Sequence, residues 1–206
     1  YWFYLYDSSK LIVQSAAHLR KSIEDLVNKL DPEGKDPALR QMVVIGHSQG
    51  GLLTKATAIN TGDTLIRAVT GKTLGEMKLS PADEKLVRAY FEFTPLPEVK
   101  RVIFISTPHR GSFLASNLAR RLAKWFIHLP QKTLQTTAEV VRFIPRKGAQ
   151  VMRAATSLDG MSPDNPGLLA LAEVPVSPPI KAHSIIAVKD DAVLPDGDDG
   201  VVKYTS

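Results

Sequence analysis

The run Gly46-His47-Ser48-Gln49-Gly50-Gly51 sets a serine between small residues in the spacing G-x-S-x-G. A serine hydroxyl becomes an effective nucleophile only when a histidine takes its proton and a carboxylate orients that histidine. The spacing alone decides little. At about 7% frequency for each residue type, chance supplies roughly 0.07 matches in a chain of this length. Candidate bases are His18, His47, His109, His128 and His183. Candidate acids cluster late, in KDDAVLPDGDDG, as Asp190, Asp191, Asp196, Asp198 and Asp199. Asp196, Asp198 and a neighbour could in principle hold calcium, but the ligand spacing of a complete site is missing. No metal and no cofactor are therefore expected.

These groups need elements to hold them. YWFYLY, at the start, is apolar and aromatic and reads as a strand, with Asp7, Ser8 and Ser9 after it as candidate helix caps. Ile12, Ala16, Leu19, Ile23, Leu26 and Leu30 then recur at three- and four-residue steps, the stripe of an amphipathic helix. DPEGKDP stops it. MVVI is a short buried strand, GHSQGG follows, and LLTKATAI continues as a helix, so Ser48 lies at a strand-to-helix turn. Ser80-Pro81 opens a further helix. KRVIFIS, residues 100–106, is the next strand and ends in STPHRGS, which holds no carboxylate. Leu114, Leu118, Leu122, Trp125, Phe126 and Leu129 line one face of a helix over residues 112–129, with Asn117, Arg120, Arg121, Lys124 and His128 on the other. Residues 130–180 are punctuated by proline and read as irregular. HSIIAV, from His183, is the last strand.

Strands alternating with helices imply parallel pairing, and wholly apolar strands fit a sheet covered on both faces. The expected class is α/β, a single domain over residues 1–206 with cap or insert segments at 61–98 and 112–180. A serine at such a turn is held out at the sheet's carboxyl edge, where the free N–H groups and positive end of the following helix face charge developing on a bound carbonyl. A glycine-rich structural turn is the alternative. Flanking glycines are expected because side chains there would meet the neighbouring strand and helix.

Composition narrows the classes. The chain has 206 residues, 44% of them apolar, and no cysteine, which removes disulfides, thiolate chemistry and cysteine metal sites. No run approaches the roughly 18 apolar residues of a membrane span. The net charge of +5 is unevenly spread. Nine basic residues face one acid between Arg110 and Arg153, and eight acids face three lysines from Thr156 onward. The basic helix predicts contact with anionic lipid surfaces, against the plainer reading of a solvated face. Basic residues without interleaved aromatics argue against nucleic acid. The lack of cysteine leans toward an exported or membrane-associated protein.

VVIGHSQGG resembles the nucleophile elbow of α/β-hydrolases, in particular of bacterial lipase- and esterase-like serine hydrolases. FISTPHRGS is similar to the loop after strand six of lipase-like members, and DDGVV to the loop after strand seven. The resemblance implies that YWFYLY, MVVI, KRVIFIS and HSIIAV are strands four to seven. It makes Ser48 the nucleophile, the Gln49 N–H an oxyanion donor, Gly46, His47 and Gly50 the elbow, and Asp199 the orienting acid, with Asp198 next in line. His109 lies where such loops border the site. The substrate would be a small-molecule ester or lipid, cleaved through an acyl-enzyme; acyl transfer, thioester hydrolysis and non-catalytic binding of a lipid or partner protein share the scaffold. The family's base follows an eighth strand and its second oxyanion donor follows strand three. Both are expected outside these 206 residues, so that the chain alone would not turn over esters.

Overall fold

A computed structural model describes residues 1–7, 10–111, 161–189 and 197. The helix expected over 112–129, with His128, and the aspartates from Asp190 to Asp199 lie outside the described residues.

The chain is α/β. Its order is α1 (Ile12–Leu30), β1 (Met42–His47), α2 (Gln49–Ala56), α3 (Thr64–Thr70), a 3₁₀ turn (Gly75–Met77), α4 (Pro81–Phe91), β2 (Val99–Ile105), α5 (Pro166–Glu173) and β3 (Lys181–Ile185). The described strands make one parallel sheet in the order β1-β2-β3. Pairing begins at Met42↔Val99 and resumes at Val43↔Arg101, leaving Lys100 as one extra residue on β2. From there it runs unbroken to His47↔Ile105.

The helices form where side chains can close their ends. Ser80 caps α4 by accepting from the Asp83 N–H, with Pro81 in the first turn, as its sequence predicts. Asp31 ends α1 by accepting from the N–H groups of Lys35 and Asp36 at 2.8 and 2.9 Å, which holds its carboxyl below the usual carboxylate range. At the other end of α1 the cap is Leu11, not Asp7, Ser8 or Ser9; the Gln14 side chain reaches back to its N–H at 3.3 Å. The stretch 130–180, read as irregular, contains α5. Asn165 caps it through the N–H groups of Gly167 and Leu168, and Pro166 opens its first turn.

The main core joins Ala16 and Leu19 of α1, Leu52, Leu53 and Ala56 of α2, Leu65 and Ile66 of α3, Val87 and Phe91 of α4, and Leu168 and Leu171 of α5. Each large side chain so buried stabilises the fold by roughly 1.5–3 kcal/mol. The stretch 61–98 is thus built into the core through α3 and α4. A second cluster, Ala58, Leu96, Val99, Val102 and Phe104, seats one face of the sheet beneath α2. The other face differs from expectation. Val43 and Ile45 are 50% and 60% exposed, and all five residues of β3 are exposed. Among the described residues the sheet's packed cluster lies on the Val44–Val102 side, and they supply no cover for the face of Val43 and Ile45.

YWFYLY is not a strand. Residues 1–7 carry no regular secondary structure and pair with none of the described strands. A two-residue alternation survives in packing from Phe3 onward, Trp2 being exposed as well. Tyr4 and Tyr6 stack with ring centroids 5.8 Å apart and lie against the main core, while Tyr1, Phe3 and Leu5 are exposed.

Candidate active site

Ser48 stands between the end of β1 and the start of α2 with φ 52° and ψ −127°. Such a backbone costs a non-glycine residue about 1–3 kcal/mol and persists only where the surroundings impose it. They do so here. The Ser48 N–H donates to Ile105 O at 2.8 Å, which ties the turn to the end of β2, and the Gly51 N–H donates back to Ser48 O at 3.0 Å. The serine is half-buried, and its hydroxyl caps nothing in α2. The N–H groups of Gln49 and Gly50 lead the helix, where no intrahelical acceptor exists. A free hydroxyl beside unpaired amides at a positive helix end can attack a carbonyl carbon and hold the oxygen that becomes negative.

The glycines divide the work unequally. A Cβ on Gly46 would crowd Thr54 Oγ1 and the Gly50 carbonyl, whose carbon is 2.6 Å away, so β1 and α2 could not stay in contact. Gly50 meets nothing within 4 Å, contrary to the expectation that both flanking positions are sterically closed. The crowded residue is the next one. A Cβ on Gly51 would overlap Thr107 Oγ1 and lie 2.5 and 2.7 Å from its Cγ2 and Cβ. Gly46→Ala and Gly51→Ala should each cost about 1–3 kcal/mol of stability as overpacking, with Gly50→Ala near wild type. Urea unfolding of the three variants checks this ranking, and a destabilised Gly50→Ala with an unaffected Gly51→Ala would reverse it.

Short helices need outside support, and α2 has it at several points. The Arg20 guanidinium donates to Ala56 O at 2.8 Å, at the helix's carboxyl end, and lies over the Phe93 ring at 5.4 Å. Burial holds Arg20 below its ordinary range. The Lys55 ammonium is buried and donates to Ala172 O at 2.8 Å, near the end of α5. Burial pushes Lys55 down to about 8; the Glu173 carboxylate opposes that shift and Arg110 adds to it. Arg110 and Glu173 pair at 3.0 Å, joining the turn after β2 to α5.

The structure keeps most of the histidines away from Ser48's turn. His18 is exposed on α1, and His47 is exposed on β1, on the face carrying Val43 and Ile45. His183 is exposed on β3 beside Arg101. His109 lies in the turn after β2, three residues past Ser106, at the carboxyl end of that strand. Its ring meets Phe104 edge-on at 4.7 Å, and its Nδ1 is buried without a hydrogen-bond partner among the described residues. Burial, then the nearby Lys55 charge, push the imidazole down to about 4 from its ordinary 6.5. The unfolded chain thus binds this proton first as pH falls, so His109 removes stability between about pH 6.5 and 4. The urea midpoint should drop through that window in wild type and less steeply in His109→Asn; identical pH profiles would exclude His109 as the cause.

Gln49 is 8% exposed, with Nε2 buried and without a hydrogen-bond partner among the described residues. Gly51 and Thr107 were not singled out from the sequence, since their contact is between residues far apart in the chain. Asp199 and Asp198 lie outside the described residues. Among the described residues no group of three or more His, Asp and Glu could hold a metal ion, and no helix is long and apolar enough to cross a membrane.

The fold and site define an α/β protein with a strained serine at a strand-to-helix turn of a parallel sheet. Comparison with family models, curated proteins and solved structures finds no match.

Proposed function

We propose that this protein is a serine hydrolase of the α/β-hydrolase fold that cleaves carboxylic esters, in the manner of lipases and esterases. The observation that carries the reading is Ser48: a non-glycine residue with φ 52° at the turn between a parallel strand and a helix. The sequence order of its motifs and the parallel order β1-β2-β3 are consistent with that fold.

In this reading Ser48 Oγ attacks the ester carbonyl carbon, and its proton passes to a histidine outside the described residues. The Gln49 N–H donates to the oxygen that becomes negative. The carbonyl re-forms as the C–O bond to the alcohol breaks, and the alcohol leaves with the proton. Water, deprotonated by the same histidine, then attacks the acyl-Ser48 ester and releases the acid. Asp199 orients the histidine. Acyl transfer would differ only in the second nucleophile, and choosing between them on the scaffold alone is analogy. An ester or lipid is the proposed substrate.

A fluorophosphonate probe should label the full-length protein, with the added mass on the peptide carrying Ser48. Folded protein that takes no label, or takes it at another residue, would overturn the reading.

A further inference from the structure

The turn after β2 repeats the geometry of the turn after β1. Ser106, like Ser48, is a non-glycine residue in the left-handed region, with φ 44°. Each serine directly follows a parallel strand, and each donates its N–H to the last residue of the next strand: Ser48 to Ile105 O at 2.8 Å, Ser106 to Ile185 O at 2.9 Å. Because His47 pairs with Ile105, the next position in register sets Ser48 beside Ser106. Neighbouring strands lie about 4.8 Å apart, so the two serines share one stretch of the carboxyl edge. Both are half-buried, and neither hydroxyl has a hydrogen-bond partner among the described residues.

The strain at Ser106 calls for an account of its own, since glycine would adopt the same backbone freely. Part of it is local packing. The turn sets Thr107 against Gly51 in the first turn of α2, and the His109 N–H closes onto Thr107 O at 3.0 Å. A glycine at 106 would serve that packing equally well. What serine adds is a hydroxyl, on the residue that the register sets beside Ser48.

We propose that Ser106 is a catalytic residue of the Ser48 site: its hydroxyl donates a hydrogen bond to the ester's carbonyl oxygen as that oxygen takes up negative charge. The inference rests on the reading of Ser48 as nucleophile. The Gln49 N–H approaches the developing oxyanion from the start of α2, and the Ser106 hydroxyl approaches it from the neighbouring strand. No bond to Ser106 forms or breaks. The hydroxyl keeps its proton throughout and strengthens its donation when the carbonyl carbon becomes tetrahedral, so its effect falls on kcat.

The test is steady-state hydrolysis of p-nitrophenyl butyrate by full-length protein, comparing wild type with Ser106→Ala and Ser106→Gly. Alanine removes the hydroxyl and keeps the backbone cost; glycine removes the hydroxyl and relieves it. Both should lower kcat by about 10²–10³-fold, the range for one lost oxyanion donor, with KM unchanged. Thermal melting should show Ser106→Gly at least as stable as wild type, and if Ser106→Ala fails to fold, the glycine variant carries the comparison. Wild-type kcat in either folded variant overturns the role, as does a rise in KM with kcat intact. A wild-type protein that neither hydrolyses the ester nor takes the phosphonate probe at Ser48 overturns the hydrolase reading itself, an outcome distinct from an active enzyme indifferent to Ser106.

Discussion

Ser48→Ala in the full-length protein should lower ester turnover by about 10⁶-fold, the scale seen when a triad serine is removed from a comparable enzyme. The size follows from what alanine takes away. The variant keeps the elbow, the Gln49 N–H and the positive end of α2, so it still binds the ester and polarises its carbonyl. It has no oxygen to form the acyl-enzyme, and water has no equivalent place from which to attack. Alanine can occupy the same strained backbone as serine, so the fold should survive and the loss can be assigned to chemistry. Active-site titration with the phosphonate probe alongside turnover makes the measurement clean. Residual activity within ten-fold of wild type, with the protein folded, would remove Ser48 from the role.

The second large effect is at Asp199, where Asp199→Asn should reduce turnover by about 10⁴-fold, as expected when an orienting carboxylate becomes an amide that holds its histidine in the wrong tautomer. The turn after β2, Ser106 to Gly111, contains no carboxylate. Glu173, which reaches that turn from α5, is already paired with Arg110. The acid is therefore sought after β3, where Asp199 precedes Gly200-Val201-Val202. Asp198→Asn is the control. If that variant collapses in activity while Asp199→Asn does not, the role moves by one residue. Equal tolerance of both would leave the triad without an acid and count against a hydrolase.

Periodicity carried most of the scaffold. The stripe from Ile12 to Leu30 gave α1 with its observed bounds, and the apolar runs from Met42, Lys100 and His183 gave the three strands with starts within two residues, the last being read three residues too far at its end. Local chemistry was legible where it is local: Ser80-Pro81 announced α4 because cap and proline act within one turn. The same signal at Asn165-Pro166 was outweighed by the density of prolines around it, and α5 went unread. YWFYLY has strand composition, but a strand is defined by its neighbour, and composition does not say whether one is present. The site shows the same divide. Gly-x-Ser-x-Gly pointed to Ser48, yet it drew attention to Gly50, whose surroundings are open, and away from Gly51, whose constraint comes from Thr107, 56 positions later by the numbering. The left-handed φ of Ser106 had no sequence mark, since serine is not the residue one expects there.

The extra residue on β2 has a consequence for how this protein can change over time. Lys100 is exposed and sits where the pairing jumps from Met42↔Val99 to Val43↔Arg101, at the end of the strands remote from Ser48. Bulges take up one residue by a local bend. Loss of Lys100 would leave Val99 opposite Met42 and Arg101 opposite Val43, with the next four pairs unaltered, whereas a one-residue slip beyond that point would turn every later side chain to the other face. The sheet thus carries an expansion joint at its far end. Insertions and deletions can accumulate there, and in the loops leading to it, while the two serines at the carboxyl edge stay opposite one another.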